Sequence, residues 1–220
     1  MTKKIYYEDS YLKSIDAIIL DVDNEKGIRL DATLFFPGSS SEYADKGTLK
    51  GVPVTPKKIE DDIWHYPLKN EDICLFSQGE KVFCEIDWNR RFSLLRHHSA
   101  LHLLAYILGD MGTIPAGGQV QDDNSYLIMR EIINENFIPD VIKKANDIIC
   151  ENRIIKTYES IEREGFRYSE IEGFLPLPCG GIHVQSLSNI GKIKLIETKI
   201  KKKKTHIYID VEEVYNGTHS

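Results

Sequence analysis

The 220-residue sequence predicts an α+β protein, with a small N-terminal β-barrel at residues 1–87 and an α+β region at residues 88–220. Up to residue 87, short apolar runs alternate with Gly and Pro, a pattern typical of small barrels. Two stretches with the apolar spacing of helices follow. The last apolar runs alternate with polar residues, as they do in half-buried strands.

The composition excludes several classes of protein. The net charge of −6 argues against a protein that coats nucleic acid broadly. No apolar run approaches the length of a membrane span, and the N-terminus becomes polar too early for a signal peptide. The four cysteines show no pattern of a small disulfide scaffold; they are Cys74, Cys84, Cys150 and Cys179. We therefore expect a cytoplasmic protein without a membrane or DNA partner.

Local patterns place the elements of both regions. A helix is predicted at residues 88–108, with Asp87 or Asn89 as its cap and Gly109 as its end. A glycine-rich loop follows to residue 118, and Pro139 opens a second helix. Residues 33–36 form a buried run, whereas residues 161–165 fit a helix or irregular structure. Strands are predicted at residues 15–20, 28–30, 48–49, 63–66, 81–86, 154–158, 193–195 and 207–211.

Two histidines on the first helix carry the strongest chemical signal. His98 and His102 are four residues apart, so both lie on one helical face, as in sites where a helix offers two metal ligands. His97 points roughly 100° away around the helix and is not expected to bind. Two histidines at this spacing are more often surface or core residues, so a metal site needs further ligands.

Cys179 and His183 supply a second pair with the same spacing. Gly180 and Gly181 lie between them and permit close approach of the backbone. Three histidines and one cysteine form a ligand set that suits zinc. We therefore predict a zinc site whose ligands are His98, His102, Cys179 and His183.

Four consecutive lysines form the densest basic cluster of an otherwise acidic chain: Lys201, Lys202, Lys203 and Lys204. They lie in the turn between the last two predicted strands. One interpretation is a solvated turn that protects a sheet edge from further pairing. The other is a set of phosphate contacts to a nucleic acid.

The two histidine motifs occur in a context that resembles a known family. Residues 96–104, Arg-His-His-Ser-Ala-Leu-His-Leu-Leu, resemble the His-Thr-Ala-x-His-Leu-Leu element of the alanyl-tRNA synthetase editing domain. Residues 179–184, Cys-Gly-Gly-Ile-His-Val, are similar to its Cys-Gly-Gly-Thr-His-Val element, and residues 145–149, Ala-Asn-Asp-Ile-Ile, match an intervening helix. Residues 33–37 resemble the barrel of the longer freestanding AlaX-type editing proteins. The resemblance covers nearly the whole chain.

The resemblance implies a fold, an activity and a set of contacts. The expected fold is a β-barrel followed by a two-layer α+β editing domain. The expected activity is zinc-dependent hydrolysis of the ester that joins serine or glycine to alanine tRNA, whose acceptor end is the partner. The sequence offers no general base, so the catalytic residue is left unassigned. Substrate contacts are expected at Thr33, Ser99, Gly180 and Gly181, and tRNA contacts at the four lysines. For the two glycines, a plain tight turn is an equal alternative.

The chain also departs from the family pattern. Ser39-Ser40-Ser41-Glu42 replaces a Gly-Gly-Gly-Gln loop that is expected to approach the amino-acid pocket, so we expect an altered balance between serine and glycine. Two further functions remain open: a tRNA-binding protein with a structural zinc and no activity, which the altered loop favours, or a zinc hydrolase of another aminoacyl ester. Two points about the zinc are also open: whether it would activate water or hold the substrate, and whether Cys179 binds it.

Overall fold

The computed structural model describes residues 1–212 and confirms the predicted mixed α+β class. The chain divides into two compact units, Met1–Phe92 and Ser93–Ser220. Helix α1, Trp88–Asp110, begins in the first unit and ends in the second. Within residues 1–212, no helix combines the length and the hydropathy that crossing a membrane requires.

The first unit consists mainly of strands. They are β1 Lys3–Lys4, β2 Ser14–Asp23, β3 Gly27–Leu30, β4 Ala32–Thr33, β5 Gly47–Leu49, β6 Val52–Ile59, β7 Asp62–Pro67 and β8 Lys81–Ile86. Short 3-10 helices occupy Ile5–Tyr7 and Asn70–Leu75. Strands β1 and β4 form a separate parallel pair.

Six strands of this unit pair in the ring β2-β3-β7-β6-β5-β8. Because β8 also pairs with β2, the ring closes as a barrel and leaves none of the six strands with a free edge. Alternating residues point inward, as in β8, where Val82, Cys84 and Ile86 are buried and their neighbours are exposed. The run at residues 34–36 is buried as predicted, although β4 stops at Thr33.

A buried ion pair holds the loop after β4 against the start of helix α1. Arg91 and Asp45 are almost inaccessible to solvent, with side-chain exposures of 0% and 1%. The Arg91 Nε donates to both Asp45 carboxylate oxygens at 3.0 and 3.1 Å, and further guanidinium nitrogens donate to the carbonyls of Ser10 and Leu34. The Phe36 amide also donates to Asp45. This network satisfies the charges that burial would otherwise leave unpaired.

The second unit combines helices with two sheets. Besides the larger part of α1 it contains α2, Ile138–Ile149, and 3-10 turns at Glu135–Phe137 and Leu187–Asn189. Its strands are β9 Pro115–Gln119, β10 Ser125–Met129, β11 Ile155–Glu159, β12 Arg167–Ile171, β13 Leu177–Pro178, β14 Ile193–Lys201 and β15 Lys204–Val211. The sheet orders are β14-β15-β10-β9 and β11-β12-β13.

Several local predictions for this unit need correction. Asp87 caps α1 as expected, since its Oδ1 accepts from the Arg90 amide at 3.1 Å. The predicted end at Gly109 is wrong, because α1 continues to Asp110 and Gly112, at φ +80°, turns the chain away. The predicted glycine loop contains the edge strand β9, whose Gly117 and Gly118 pair with Ile128 and Leu127.

The lysine run forms the tip of the hairpin between β14 and β15, as predicted. Lys201 pairs with Lys204, and Lys202 and Lys203 make the two-residue turn with φ values of 49° and 60°. All four lysine side chains are exposed.

We expect Asp45→Asn to destabilise the protein by about 3 kcal/mol, because the buried Arg91 charge then loses its counterion. Urea unfolding of the purified protein measures this loss. Asp16→Asn is the control, since the Lys81–Asp16 pair is exposed on both sides, and its effect is expected to stay below about 1 kcal/mol. If the two variants lose the same free energy of unfolding, the buried pair has no special role in stability.

Candidate metal centre

Helix α1 presents two imidazoles one turn apart. The ring centroids of His98 and His102 lie 4.9 Å from each other, on the helical face that the four-residue spacing predicts. His98 is only 8% exposed, and His102 is half-buried. Both side chains therefore face the interior of the second unit.

The segment that carries Cys179 and His183 is anchored at both ends. It leaves β13, and the Cys179 amide donates to the Arg167 carbonyl at 2.9 Å. At its other end the Val184 amide donates to the Ser99 hydroxyl at 3.1 Å. Ile182 and Val184 are buried, so their packing holds the segment against α1. These contacts bring the second pair of predicted ligands to the first.

The structure brings all four predicted metal ligands together. One donor atom from each of the four residues lies within 4.8 Å of the others. The Cys179 sulfur lies 3.3 Å from the Nε2 of His98 and 3.3 Å from the Nε2 of His183. In a tetrahedral zinc site a sulfur and a nitrogen ligand are about 3.5 Å apart, so these two distances match such a site.

The electrostatics at Cys179 and His183 favour the protonation states that bind a metal. Burial raises the pKa of the Cys179 thiol, but the imidazoles of His98 and His183 outweigh burial and hold this pKa far below its usual value. Burial lowers the pKa of His183 to about 3, with a further contribution from His98. A thiolate and neutral imidazoles are the forms that coordinate metals.

Two further groups of the cluster fit a bound cation. The Nδ1 of His102 is buried and has no hydrogen-bond partner among residues 1–212. The Gly181 amide donates to the Cys179 sulfur at 3.4 Å, a contact that stabilises a thiolate. Gly181 thus contacts the sulfur of a candidate ligand, and Gly180 is exposed beside it. The substrate contact predicted for both glycines stays a prediction.

Ser99 has a structural position that the sequence did not reveal. It is fully buried, and its hydroxyl donates to the Leu95 carbonyl at 2.9 Å. The same oxygen accepts from the Val184 amide and lies 3.4 Å from the Nδ1 of His183. Since the hydroxyl hydrogen is already used, Nδ1 donates and Nε2 is left free to coordinate. Ser99 therefore orients a ligand; its predicted substrate contact stays a prediction.

The neighbouring His97 is engaged elsewhere, as its helical position predicts. Its Nδ1 lies 2.9 Å from the Ser93 carbonyl, and its Nε2 lies 3.1 Å from the Asp210 carboxylate. Burial lowers its pKa, although these two partners act in the opposite direction. Both ring nitrogens are thus used outside the cluster.

Thr33 lies in the first unit and is fully buried. Its hydroxyl donates to the Nε2 of His65 at 2.8 Å, and the Nδ1 of His65 donates to the Ile28 carbonyl at 3.0 Å. Burial lowers the pKa of His65 to about 4, which keeps this ring neutral. The substrate contact expected of Thr33 stays a prediction, as does the tRNA contact of the four tip lysines.

Sequence reasoning also missed two long-range contacts that hold the site in place. The Arg96 Nε donates to the Ile190 carbonyl at 2.7 Å, which ties the stretch after His183 to α1. Asn146 on α2 bonds to both backbone groups of Ile193 at 2.8 and 3.0 Å, which joins α2 to β14. Both residues lie in runs that resemble the family's motifs, which was the only indication in the sequence that they matter. Those runs do not show which residues Arg96 and Asn146 would contact.

Comparison with known proteins agrees with this geometry. The chain is 33% identical to the alanyl-tRNA editing protein AlaX-M of Pyrococcus horikoshii, over 90% of this chain and 91% of that protein. The chain belongs to the family of AlaX alanyl-tRNA editing proteins. It is also 31% identical to the AlaX-M protein of Methanosarcina mazei, over 92% of this chain and 93% of that protein.

A further similarity connects this AlaX family member with a larger enzyme. The chain is 31% identical to the alanine–tRNA ligase of Pyrococcus furiosus, over 90% of this chain but only 24% of the ligase. The two units of the chain thus correspond to one portion of that protein. No family model matches the sequence.

We expect Ser99→Ala to weaken metal binding about tenfold, because His183 loses the group that orients it. Ser99→Thr retains a hydroxyl and is expected to bind as the wild type does. Titration with Co²⁺, whose visible absorption reports its coordination, measures the affinity directly.

Ser93→Ala is the matched control for this titration. Ser93 lies on the same helix, and its hydroxyl contacts His97, which is not part of the cluster. The Co²⁺ affinity of the Ser93→Ala variant is expected to equal that of the wild type. A Ser99→Ala protein that binds Co²⁺ with unchanged affinity would show that the hydroxyl has no role in orienting the ligand.

Proposed function

We propose that this chain hydrolyses the ester of alanine tRNA mischarged with serine or glycine, as a zinc-dependent editing enzyme of the cytoplasm. Membership in the AlaX family makes it an aminoacyl-tRNA deacylase. The observation that carries the proposal is the convergence of four metal-binding side chains from two distant segments. Their ligand set is one that suits zinc.

We assign the editing reaction to residues 88–220, as a two-layer α+β domain, and treat residues 1–87 as a separate barrel domain. All four candidate ligands lie in the second unit, which supports this division. The sheet β14-β15-β10-β9 buries Ile207, Ile209 and Leu127 on one face. Helix α2 packs at its β14 edge through Asn146.

His98, His102, Cys179 and His183 would hold the metal. A zinc ion bound there would supply Lewis-acid chemistry to the ester or to water, or would hold the amino group of the substrate. The Ser99 hydroxyl orients the ring of His183, and the Gly181 amide stabilises the Cys179 thiolate. Gly180, which is exposed, and Gly181 are proposed to bind a substrate oxygen. A substrate contact is proposed for Thr33 as well, on its own unit.

The tRNA contacts are assigned to the hairpin tip. Lys201, Lys202, Lys203 and Lys204 are all exposed and carry positive charge on a chain whose net charge is −6. Phosphates are the ligands that such a cluster attracts most strongly. The acceptor end of the tRNA must approach the second unit for the ester to be hydrolysed there.

A second candidate is a tRNA-binding protein with a structural metal. The observation in its favour is that four protein donors converge, since structural zinc sites are normally closed by four protein ligands and catalytic sites keep one position open. The two candidates differ in whether the protein hydrolyses the ester when zinc is bound.

We expect His102→Ala to reduce deacylation of seryl-tRNA by at least about a hundredfold, because one of the four metal ligands is lost. The rate of ester hydrolysis and the zinc content by elemental analysis are measured on the same samples. Cys179→Ala tests which ligands an active metal needs, since retained zinc and activity would mean that three histidines suffice.

His97→Gln and Cys150→Ala are the controls for these variants. His97 adjoins the cluster without joining it, and Cys150 is an exposed free thiol, so zinc content and activity are expected to be unchanged in both. A wild-type preparation that is fully active yet contains no metal would refute the zinc-dependent reaction. A zinc-loaded wild type without activity would favour the structural metal.

The serine loop generates a second prediction, on specificity. Ser39, Ser40 and Ser41 are exposed, and the turn is closed by the Ser39 amide on the Glu42 carbonyl at 2.8 Å. The Ser41 amide also donates to the Ser39 hydroxyl at 3.1 Å, which restricts the turn. Replacing the three serines with glycine removes this bond and the three side chains.

We therefore expect the triple glycine variant to change the ratio of seryl-tRNA to glycyl-tRNA hydrolysis by severalfold. The values of kcat/KM for the two substrates, measured side by side, give this ratio. Ser77→Gly, an exposed serine elsewhere in the first unit, is the control. An unchanged ratio in the triple variant would remove this loop from the determinants of specificity.

A further inference from the structure

The outer face of the sheet β14-β15-β10-β9 carries a cluster of aromatic rings. His206 and Tyr208 alternate along β15 with the buried Thr205, Ile207 and Ile209, so they point away from the core. Tyr126, on the neighbouring β10, lies directly opposite Tyr208 in the register. All three rings are half-buried, in contrast to the buried residues on the other face.

The three rings form a continuous aromatic surface. The centroid of Tyr126 lies 4.9 Å from that of Tyr208 and 5.5 Å from that of His206. His206 and Tyr208 are inclined by only 20° to each other, at 6.4 Å. Burial and then the nearby lysines lower the pKa of His206, so its ring is neutral at pH 7. Flat rings at such spacing offer a surface on which planar groups can stack.

Lysines border this aromatic surface on the β14 side. The Nζ atoms of Lys199 and Lys201 lie 5.4 and 5.1 Å from the centroid of Tyr208. Lys201 also donates to the Tyr208 hydroxyl at 2.6 Å, and Lys204 lies opposite Lys201 in the register. Glu197 pairs with Lys199, so the charge of the border remains positive overall. We name this surface the aromatic–lysine face; its members are Tyr126, His206, Tyr208, Lys199, Lys201 and Lys204.

We propose that the aromatic–lysine face binds single-stranded RNA, with bases stacked on its rings and phosphates bound by its lysines. Aromatic rings on the open face of a sheet, beside basic side chains, are a means by which proteins hold unpaired nucleotides without reading their sequence. On a chain with a net charge of −6, this border is a local concentration of positive charge, which attracts a polyanion. The inference rests on the proposed function in so far as the RNA is the unpaired portion of a tRNA.

The alternative occupant is a second copy of this chain. Strand β14 is the edge of its sheet and exposes Ile196 and Ile200, with exposures of 46% and 54%. These two side chains belong to the edge strand rather than to the aromatic–lysine face. Self-association through β14 is therefore an outcome that the test must separate from RNA binding.

The test measures binding of a fluorescent single-stranded RNA of about ten nucleotides to the full chain by anisotropy, over a range of salt concentrations. The Tyr126→Leu/Tyr208→Leu variant is expected to bind at least about tenfold more weakly, since base stacking contributes substantially per ring. Replacing Lys199, Lys201 and Lys204 with Gln is expected to flatten the salt dependence, by about 0.7 in the logarithmic slope for each lost phosphate contact.

Two further variants serve as controls. One tests whether lost binding reflects misfolding, and the other tests whether replacing any exposed tyrosine weakens binding. Tyr208→Phe retains the ring, so its affinity is expected to remain close to that of the wild type. Tyr158→Leu is the matched control, because Tyr158 stacks on Tyr168 at 5.9 Å and is exposed, but bonds to Glu170 instead of a lysine. Its RNA affinity is expected to be unchanged.

The outcomes separate this inference from the proposed function. If the double leucine variant binds RNA as tightly as the wild type does, RNA binding by the aromatic–lysine face is refuted, even where the wild type deacylates tRNA. If RNA binding depends on these rings but the wild type hydrolyses no mischarged tRNA, RNA binding by the face is supported and the proposed function is refuted. A third outcome is that the wild type forms a dimer in sedimentation that the double leucine variant loses, while the RNA affinity of this variant is unchanged. That result would identify a second copy as the occupant of this face and refute RNA binding there.

Discussion

The hydroxyl of Ser99 is the contact on which the arrangement of the metal cluster depends. It joins the middle of α1 to the segment with Cys179 and His183 through both the backbone of Val184 and the ring of His183. Because its hydrogen is committed to Leu95, both remaining contacts require it as an acceptor. A residue without a hydroxyl at this position would leave a buried amide unpaired, which costs about 1–3 kcal/mol.

The four members of the cluster could be predicted from the sequence because each pair of candidate ligands forms a short local pattern. His98 and His102 share a helical face as soon as the helix is recognised, and Cys179 and His183 flank two glycines. Neither pair specifies the other, so the joint site depended on matching two sets of zinc ligands across about 80 residues. The structure shows these donor atoms within 4.8 Å of one another.

The remaining parts of the fold were less predictable, because they depend on partners distant in the chain. Strand β9 contains Gly117 and Gly118, which have little strand propensity, and it exists because β10 supplies its hydrogen bonds. Strand β12 lay outside the predicted elements for the same reason. Arg91 and Asp45 are separated by 46 residues, and no local pattern in either neighbourhood identifies the other.

The turn at Lys202 and Lys203 has a consequence for the balance between charge and folding. Both residues adopt the left-handed conformation that two-residue hairpins require, and Asn-Gly would adopt it with less strain. For each side chain with a Cβ this conformation costs roughly 1 kcal/mol. The hairpin therefore gives up local stability to keep two cations at its tip, and its end should open more readily than its paired middle. The same two residues thus give this corner of the sheet both a concentrated positive charge and a strained turn.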